Sequence, residues 1–155
     1  MSKSSSSKSK EIKIITKQVI TLDDIEKDPR KIKLLYIIST FGDISEKALE
    51  YLLYEMKQKG YDLGYEFALV GRVPTSKELF NDVLALKYTG LVETNPMKKL
   101  VVSSLGREFL EKHINSIEEK EREEIKKLID ELRVKVRPID VEVEVRFGRK
   151  TRRLF

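Results

Sequence analysis

Residues 75–106, TSKELFNDVLALKYTGLVETNPMKKLVVSSLG, decide the reading of the fold. Thr75-Ser76-Lys77-Glu78 places a hydroxyl three residues before a carboxylate, the pattern of a capping box at a helix start. The spacing predicts a helix with Leu79, Phe80, Val83, Leu84 and Leu86 turned inward and an end at Gly90. Leu91–Thr94 and Lys99–Ser103 then flank Asn95-Pro96-Met97-Lys98, turn chemistry that predicts a hairpin. Ser104-Leu105-Gly106 leads into a short helix through Phe109 and Leu110.

Upstream, Asp28-Pro29 opens the first clear helix. Asp28 can cap it, and Pro29 suits the first helical position, where its missing N–H costs nothing. Ile32, Leu34, Leu35, Ile37 and Ile38 form its apolar run, and Gly42 ends it. Asp43-Ile44-Ser45 leads to a second helix with Ala48, Leu49, Leu52, Leu53 and Met56 at helical spacing, stopping at Gly60. Tyr65-Glu66-Phe67, between Gly64 and Gly71, reads as a short strand or extended connector.

Downstream, Ser116-Ile117-Glu118-Glu119 is a second capping box, opening a long charged helix to about Val134. Ile125, Leu128, Ile129 and Leu132 form its apolar stripe. Glu118–Arg122 and Glu123–Lys127 are i, i+4 pairs in the favourable orientation. Arg137-Pro138 is expected to break this helix. From Ile139 to Phe147 apolar and charged residues alternate, which predicts a strand buried on one face. Glu11 to Leu22 is rich in β-branched residues and predicts another strand, the natural partner of the last one within a chain or across a dimer. The long helix has two readings: its stripe packs on its own domain, or it pairs with a twin helix in a homodimer.

Helix, helix, short strand, helix, hairpin, helix is the element order of a winged helix. Tyr65-Glu66-Phe67, the turn through Gly71 and Pro74, Ser76, Leu79, Asp82, Leu86, Gly90-Leu91-Val92-Glu93 and Gly106 resemble a group of archaeal winged-helix proteins, mostly of unknown role. The resemblance covers roughly residues 30–112. It departs at Gly71-Arg72-Val73-Pro74-Thr75-Ser76, which is longer than the Gly-Pro-aromatic-Ser turn of that group. It implies a fold rather than an activity. The expected class is α+β: a winged helix-turn-helix core with a hairpin wing, a long C-terminal helix and a terminal strand. The expected segments are a disordered tail over 1–10, a strand and linker over 11–28, the winged helix over 29–113, the long helix over 114–136, a strand over 137–147 and a basic tail over 148–155.

The chain of 155 residues suffices for one domain with a core. It has no Cys, which excludes disulfides, zinc knuckles and thiol chemistry. No run approaches a membrane span, and the Ser/Lys-rich start lacks the apolar region of a secretory signal, so a cytoplasmic, non-membrane protein is expected. High Lys, Glu and Ile content is that of a thermophile. Net charge is +5, but residues 1–20 hold +4 and residues 145–155 hold +5, so the segment 21–144 carries −4. The tails are therefore the stronger phosphate contacts.

No catalytic constellation is present and no cofactor is expected. His113 is the single imidazole and sits at a helix end, where it suits the last carbonyls. Gly71 to Lys77 lacks the second Gly and the hydroxyl residue of a phosphate loop. Candidate nucleic-acid contacts are Lys77 and Asn81, which with Ala85 and Tyr88 form one helical stripe; Arg72 before that helix; and Lys98 and Lys99 at the wing tip. Glu78 and Asp82 flank the stripe and would oppose a phosphate, so an ordinary solvated face is the competing reading. Arg149, Lys150, Arg152 and Arg153, beside Phe147 and Phe155, can grip a phosphate backbone. Alternatively Arg152-Arg153-Leu154-Phe155 is a docking peptide for a protein partner, or a solvated tail. The expected function is double-stranded DNA binding by a transcriptional regulator or nucleoid factor. The alternative is a protein-interaction module whose acidic body docks to a protein complex.

Overall fold

The structure, a computed structural model, describes residues 20–153, with side chains through residue 142. Helix α1 covers Leu22–Glu26 and α2 covers Pro29–Phe41. Asp28 caps α2, accepting from the backbone N–H groups of Arg30 (3.1 Å) and Lys31 (3.4 Å). Gly42 ends it at φ +110°, a conformation side-chain-bearing residues rarely adopt. After β1 (Ile44–Ser45), the Ser45 hydroxyl accepts from the Ala48 N–H at 3.1 Å and starts α3 (Glu46–Gln58). Strands β2 (Ala68–Val70) and β3 (Val73–Thr75) form a separate hairpin. Its Gly71-Arg72 turn has positive φ at both residues, 57° and 71°, which matches the right-handed twist of the strands. Then come α4 (Lys77–Tyr88), β4 (Val92–Thr94), β5 (Lys99–Val102), α5 (Ser104–His113), a 3-10 turn (Ile114–Ser116) and α6 (Glu119–Arg153).

Among the described residues the fold is mixed α+β with two small antiparallel sheets. The larger has strand order β1-β5-β4, with Ile44 opposite Leu100 and Val92 opposite Val102. Leu34, Leu35, Ile37 and Ile38 of α2, Leu49, Leu52 and Met56 of α3, and Leu79 and Leu86 of α4 form the centre of the core. Helix α6 closes it, burying Ile125, Leu128, Ile129, Leu132 and Val136 on α2 and α3. The sequence-predicted stripe of α6 is therefore used within the chain and is not a seam for a twin helix.

Residues 139–147 are helical, not a strand, and α6 runs through Pro138. The reason is tertiary. Val136 is fully buried, and one turn later Asp140, only 2% exposed, accepts from the Ser45 N–H at 2.8 Å. Only a helix puts both residues on the body. Pro138 lies on the exposed side, where losing the bond to the Val134 carbonyl leaves that group outside the core. Of the predicted N-terminal strand, residues 11–19 lie outside the described residues. Its last residue, Leu22, starts α1, where the Asp24 carboxylate accepts from the Thr21 N–H at 2.9 Å.

Two caps also differ. Ser76, not Thr75, starts α4, because its hydroxyl is the one that accepts from the Leu79 N–H, at 3.2 Å. Ser116 belongs to the 3-10 turn and donates to the His113 carbonyl at 2.6 Å. The Arg122 guanidinium donates to the Ile117 carbonyl at 3.1 Å.

Asp140→Ala leaves the buried Ser45 N–H unpaired and is expected to cost about 1–3 kcal/mol. Asp140→Asn keeps an acceptor oxygen and should cost much less. Urea unfolding of the two variants checks the difference.

Candidate nucleic-acid interface

Helix α4 buries Leu79, Asp82, Val83 and Leu86, an i, i+3, i+4, i+7 stripe, and Ala85 beside it. Its exposed side carries Lys77, Phe80, Asn81, Leu84 and Tyr88. Phe80 (56% exposed) and Leu84 (43%) are therefore not inward, and Ala85 is not on the outer stripe with Lys77 and Asn81. The cause is Asp82. Read by hydropathy, a carboxylate belongs outside, and placing it there rotates the helix.

Asp82 is inside because three groups meet it. Arg30 donates from Nε at 2.7 Å and from Nη2 at 3.2 Å. The Tyr65 hydroxyl donates at 2.7 Å, and the Lys31 ammonium stands 3.2 Å away. Lys31 also holds Asp28 at 2.6 Å, and the Arg30 guanidinium lies 4.8 Å from the centre of the Tyr65 ring. The hydrogen bond to Asp82 raises the Arg30 pKa against the opposing effect of burial. Burial, then the bond to Asp82, pushes the Tyr65 hydroxyl well above its ordinary range. Burial lowers the Lys31 pKa, but the bonds and charges of Asp28 and Asp82 outweigh it and the net shift is upward. Sequence reasoning missed Arg30, Lys31 and Tyr65; the available signal was Asp82 three residues after Leu79, on an otherwise apolar stripe.

The second carboxylate near the outer face, Glu78, accepts from the Ser76 hydroxyl at 3.1 Å and the Glu66 N–H at 3.3 Å. Its own backbone N–H, the Ser76 hydroxyl and the Glu66 N–H hold its pKa below the ordinary value.

At the β4–β5 turn the Asn95 side-chain oxygen accepts from the Met97 (2.9 Å) and Lys99 (3.0 Å) N–H groups. Lys98 follows with φ +65° and is exposed. Lys99 is not at the tip. It is buried, 7% exposed, with its ammonium 3.7 Å from Asp43, because β5 turns it toward the end of α2. Arg72 is exposed in the β2–β3 turn, where its carbonyl accepts from the Tyr51 hydroxyl at 3.3 Å. The side chains of Arg149, Lys150, Arg152 and Arg153 lie outside those described. The helical backbone of α6 does place positions 146, 149, 150 and 153 on one stripe by i, i+3, i+4, i+7 spacing.

His113 ends α5 with its ring 4.4 Å from that of Phe109 and Nε2 3.5 Å from Glu26. Among the described residues no group of His, Cys, Asp or Glu could hold a metal ion, and no helix is long and apolar enough to cross a membrane. No family model, curated protein or solved structure matches the chain.

Proposed function

We propose that this chain is a winged-helix domain that binds double-stranded DNA through α4 and the β4–β5 turn. Strand order β1-β5-β4 and the sequence α2-β1-α3-β2-β3-α4-β4-β5, a winged-helix order with the β2–β3 hairpin inserted before α4, support that topology. Fold analogy alone carries no function. The observation that carries the reading is the withdrawal of Asp82, one of the two carboxylates that would oppose a phosphate; the other, Glu78, stays near the outer face, tied to the Ser76 hydroxyl and the Glu66 N–H. The charge of Asp82 is met by Arg30 and Lys31, and Lys77 and Asn81 are left on the outer face of the first half of α4. A Lys suits a phosphate, and an Asn suits the N6/N7 edge of adenine. Lys98 and Arg72 add exposed cations in two turns.

Phe80, Leu84 and Tyr88, at i, i+4 and i+8 on that face, favour a second reading, in which α4 docks to a protein groove. Titration of a duplex by fluorescence anisotropy at several salt concentrations separates the two. On the DNA reading, Lys77→Ala lowers the salt slope by about one and weakens binding to all sequences. Asn81→Ala costs about 1–3 kcal/mol on the preferred sequence and less elsewhere. Lys99→Ala leaves the slope unchanged. If neither Lys77→Ala nor Asn81→Ala alters duplex binding, α4 is not the reader and the protein-docking reading stands.

A further inference from the structure

Helix α6 has a second stripe, on the side away from its own body. Val134 is 81% exposed, Pro138 is exposed and Val141 is 48% exposed. Position 145, another Val, continues the series, so apolar residues fall at 134, 138, 141 and 145. That 4-3-4 spacing is the spacing of a short coiled-coil seam, bounded by Glu131 before it and Gly148 after it. The body packs on the opposite stripe, Ile125, Ile129, Leu132 and Val136, so among the described side chains Val134, Pro138 and Val141 are left exposed. In heptad terms Val134 and Val141 take d positions and Pro138 and Val145 take a positions.

The flanking g and e positions identify the occupant. In a parallel pair each g position meets the e position five residues later on the other helix. Here the three such pairs are Asp130 with Lys135, Arg137 with Glu142, and Glu144 with Arg149. All three join opposite charges, and a two-fold axis repeats each of them. Within the chain, Lys135 reaches Glu55 at 3.1 Å and Glu142 lies 3.6 Å from Lys47. The Lys135 side chain is 64% exposed and that of Glu142 50%, so each keeps part of its surface in water while paired.

We propose that the stripe of α6 at positions 134, 138, 141 and 145 binds a second copy of this chain in a parallel, two-fold coiled coil. The seam is short, about three turns of the helix or ~18 Å over positions 134–145. The arrangement leaves both α2/α3 bodies on the outside, each on the far face of its own α6. It does not depend on what α4 binds.

Sedimentation velocity of the full chain over a concentration series tests this. The wild type is expected to sediment as a dimer of the 18.1 kDa chain. Val134→Glu with Val141→Glu places charges in the seam and should weaken association by ~100-fold or more. Both residues are exposed in one copy, so circular dichroism and thermal unfolding of the variant at low concentration should match those of the wild-type monomer. Pro138→Leu restores a helical hydrogen bond and adds apolar surface, and should tighten the dimer. Arg137→Glu should weaken it, and adding Glu142→Arg should restore it. A wild type that stays monomeric at ~100 μM overturns the proposal. So does a double Val→Glu variant that still dimerises. Rescue of Arg137→Glu by Glu144→Arg instead of Glu142→Arg overturns the parallel pairing, because only an antiparallel seam brings positions 137 and 144 together.

Discussion

Asp82→Ala is expected to lower the unfolding free energy by about 3 kcal/mol. Removing Asp82 leaves Arg30 without its counter-charge and the buried Tyr65 hydroxyl without its acceptor, while Lys31 keeps Asp28 at 2.6 Å. The figure is at the low end for a buried pair because the Arg30 side chain is 32% exposed and can turn to water. Tyr65→Phe removes one bond and should cost about 1 kcal/mol. The double variant should cost less than the two singles added, since both break one network. Urea unfolding measures all three, and additivity would show that the cluster does not act as a unit.

This cluster and a second one, in which Glu121 accepts from the Tyr61 hydroxyl at 2.7 Å and meets Lys33 at 2.9 Å, give the stability a sign with pH. Tyr65 and Tyr61 are both pushed upward, by burial first and then by bonds to Asp82 and Glu121. A group with a raised folded pKa contributes stability that is fully present below its unfolded value and is lost above it. Stability should therefore fall as pH rises past the unfolded tyrosine value of 10.0, and Tyr65→Phe should reduce that fall. Asp28 and Glu121 move the other way. Burial raises both, but Lys31 for Asp28, and Tyr61 and Lys33 for Glu121, pull them below their ordinary values. Their contribution is present above the unfolded values of 3.8 and 4.5 and is lost as pH falls below them.

Gly106→Ala is expected to cost about 3 kcal/mol or more, for a steric reason alone. A methyl group at Gly106 would overlap the Leu91 carbonyl oxygen and stand 2.6 Å from Val102 Cγ1. The carbonyl cannot move away freely, because it accepts from the Ser103 N–H at 3.0 Å. Nor can α5 shift freely, because the hydroxyl of its cap, Ser103, donates to the Gly90 carbonyl at 2.5 Å. The substitution therefore pries α5 from the β4–β5 hairpin. Gly60→Ala provides the contrast. Its position is open, and only the φ of +102° resists a side chain, so a loss of about 1 kcal/mol is expected. Thermal unfolding of the two variants should rank them in that order. Equal losses would mean that the Leu91–Gly106 approach is not tight.

The amino-acid sequence alone determined the features that close over a few residues. Asp28-Pro29 and Ser45 start helices, Gly42 stops one, and Asn95 turns the hairpin, because each satisfies backbone groups next to it. The apolar stripe of α6 was legible for the same reason: its period is a local property. Only the tertiary structure decided which way α4 faces, since the partner that draws Asp82 inward, Arg30, is 52 residues away. It also removed Lys99 from the hairpin tip by bringing it to Asp43. And it made residues 139–147 a helix. Their alternation suits a strand, yet Asp140 reaches the Ser45 N–H, 95 residues back along the chain. A charged side chain read without its partner belongs in water. Burial becomes favourable only when the fold supplies the opposite charge or the unpaired donor.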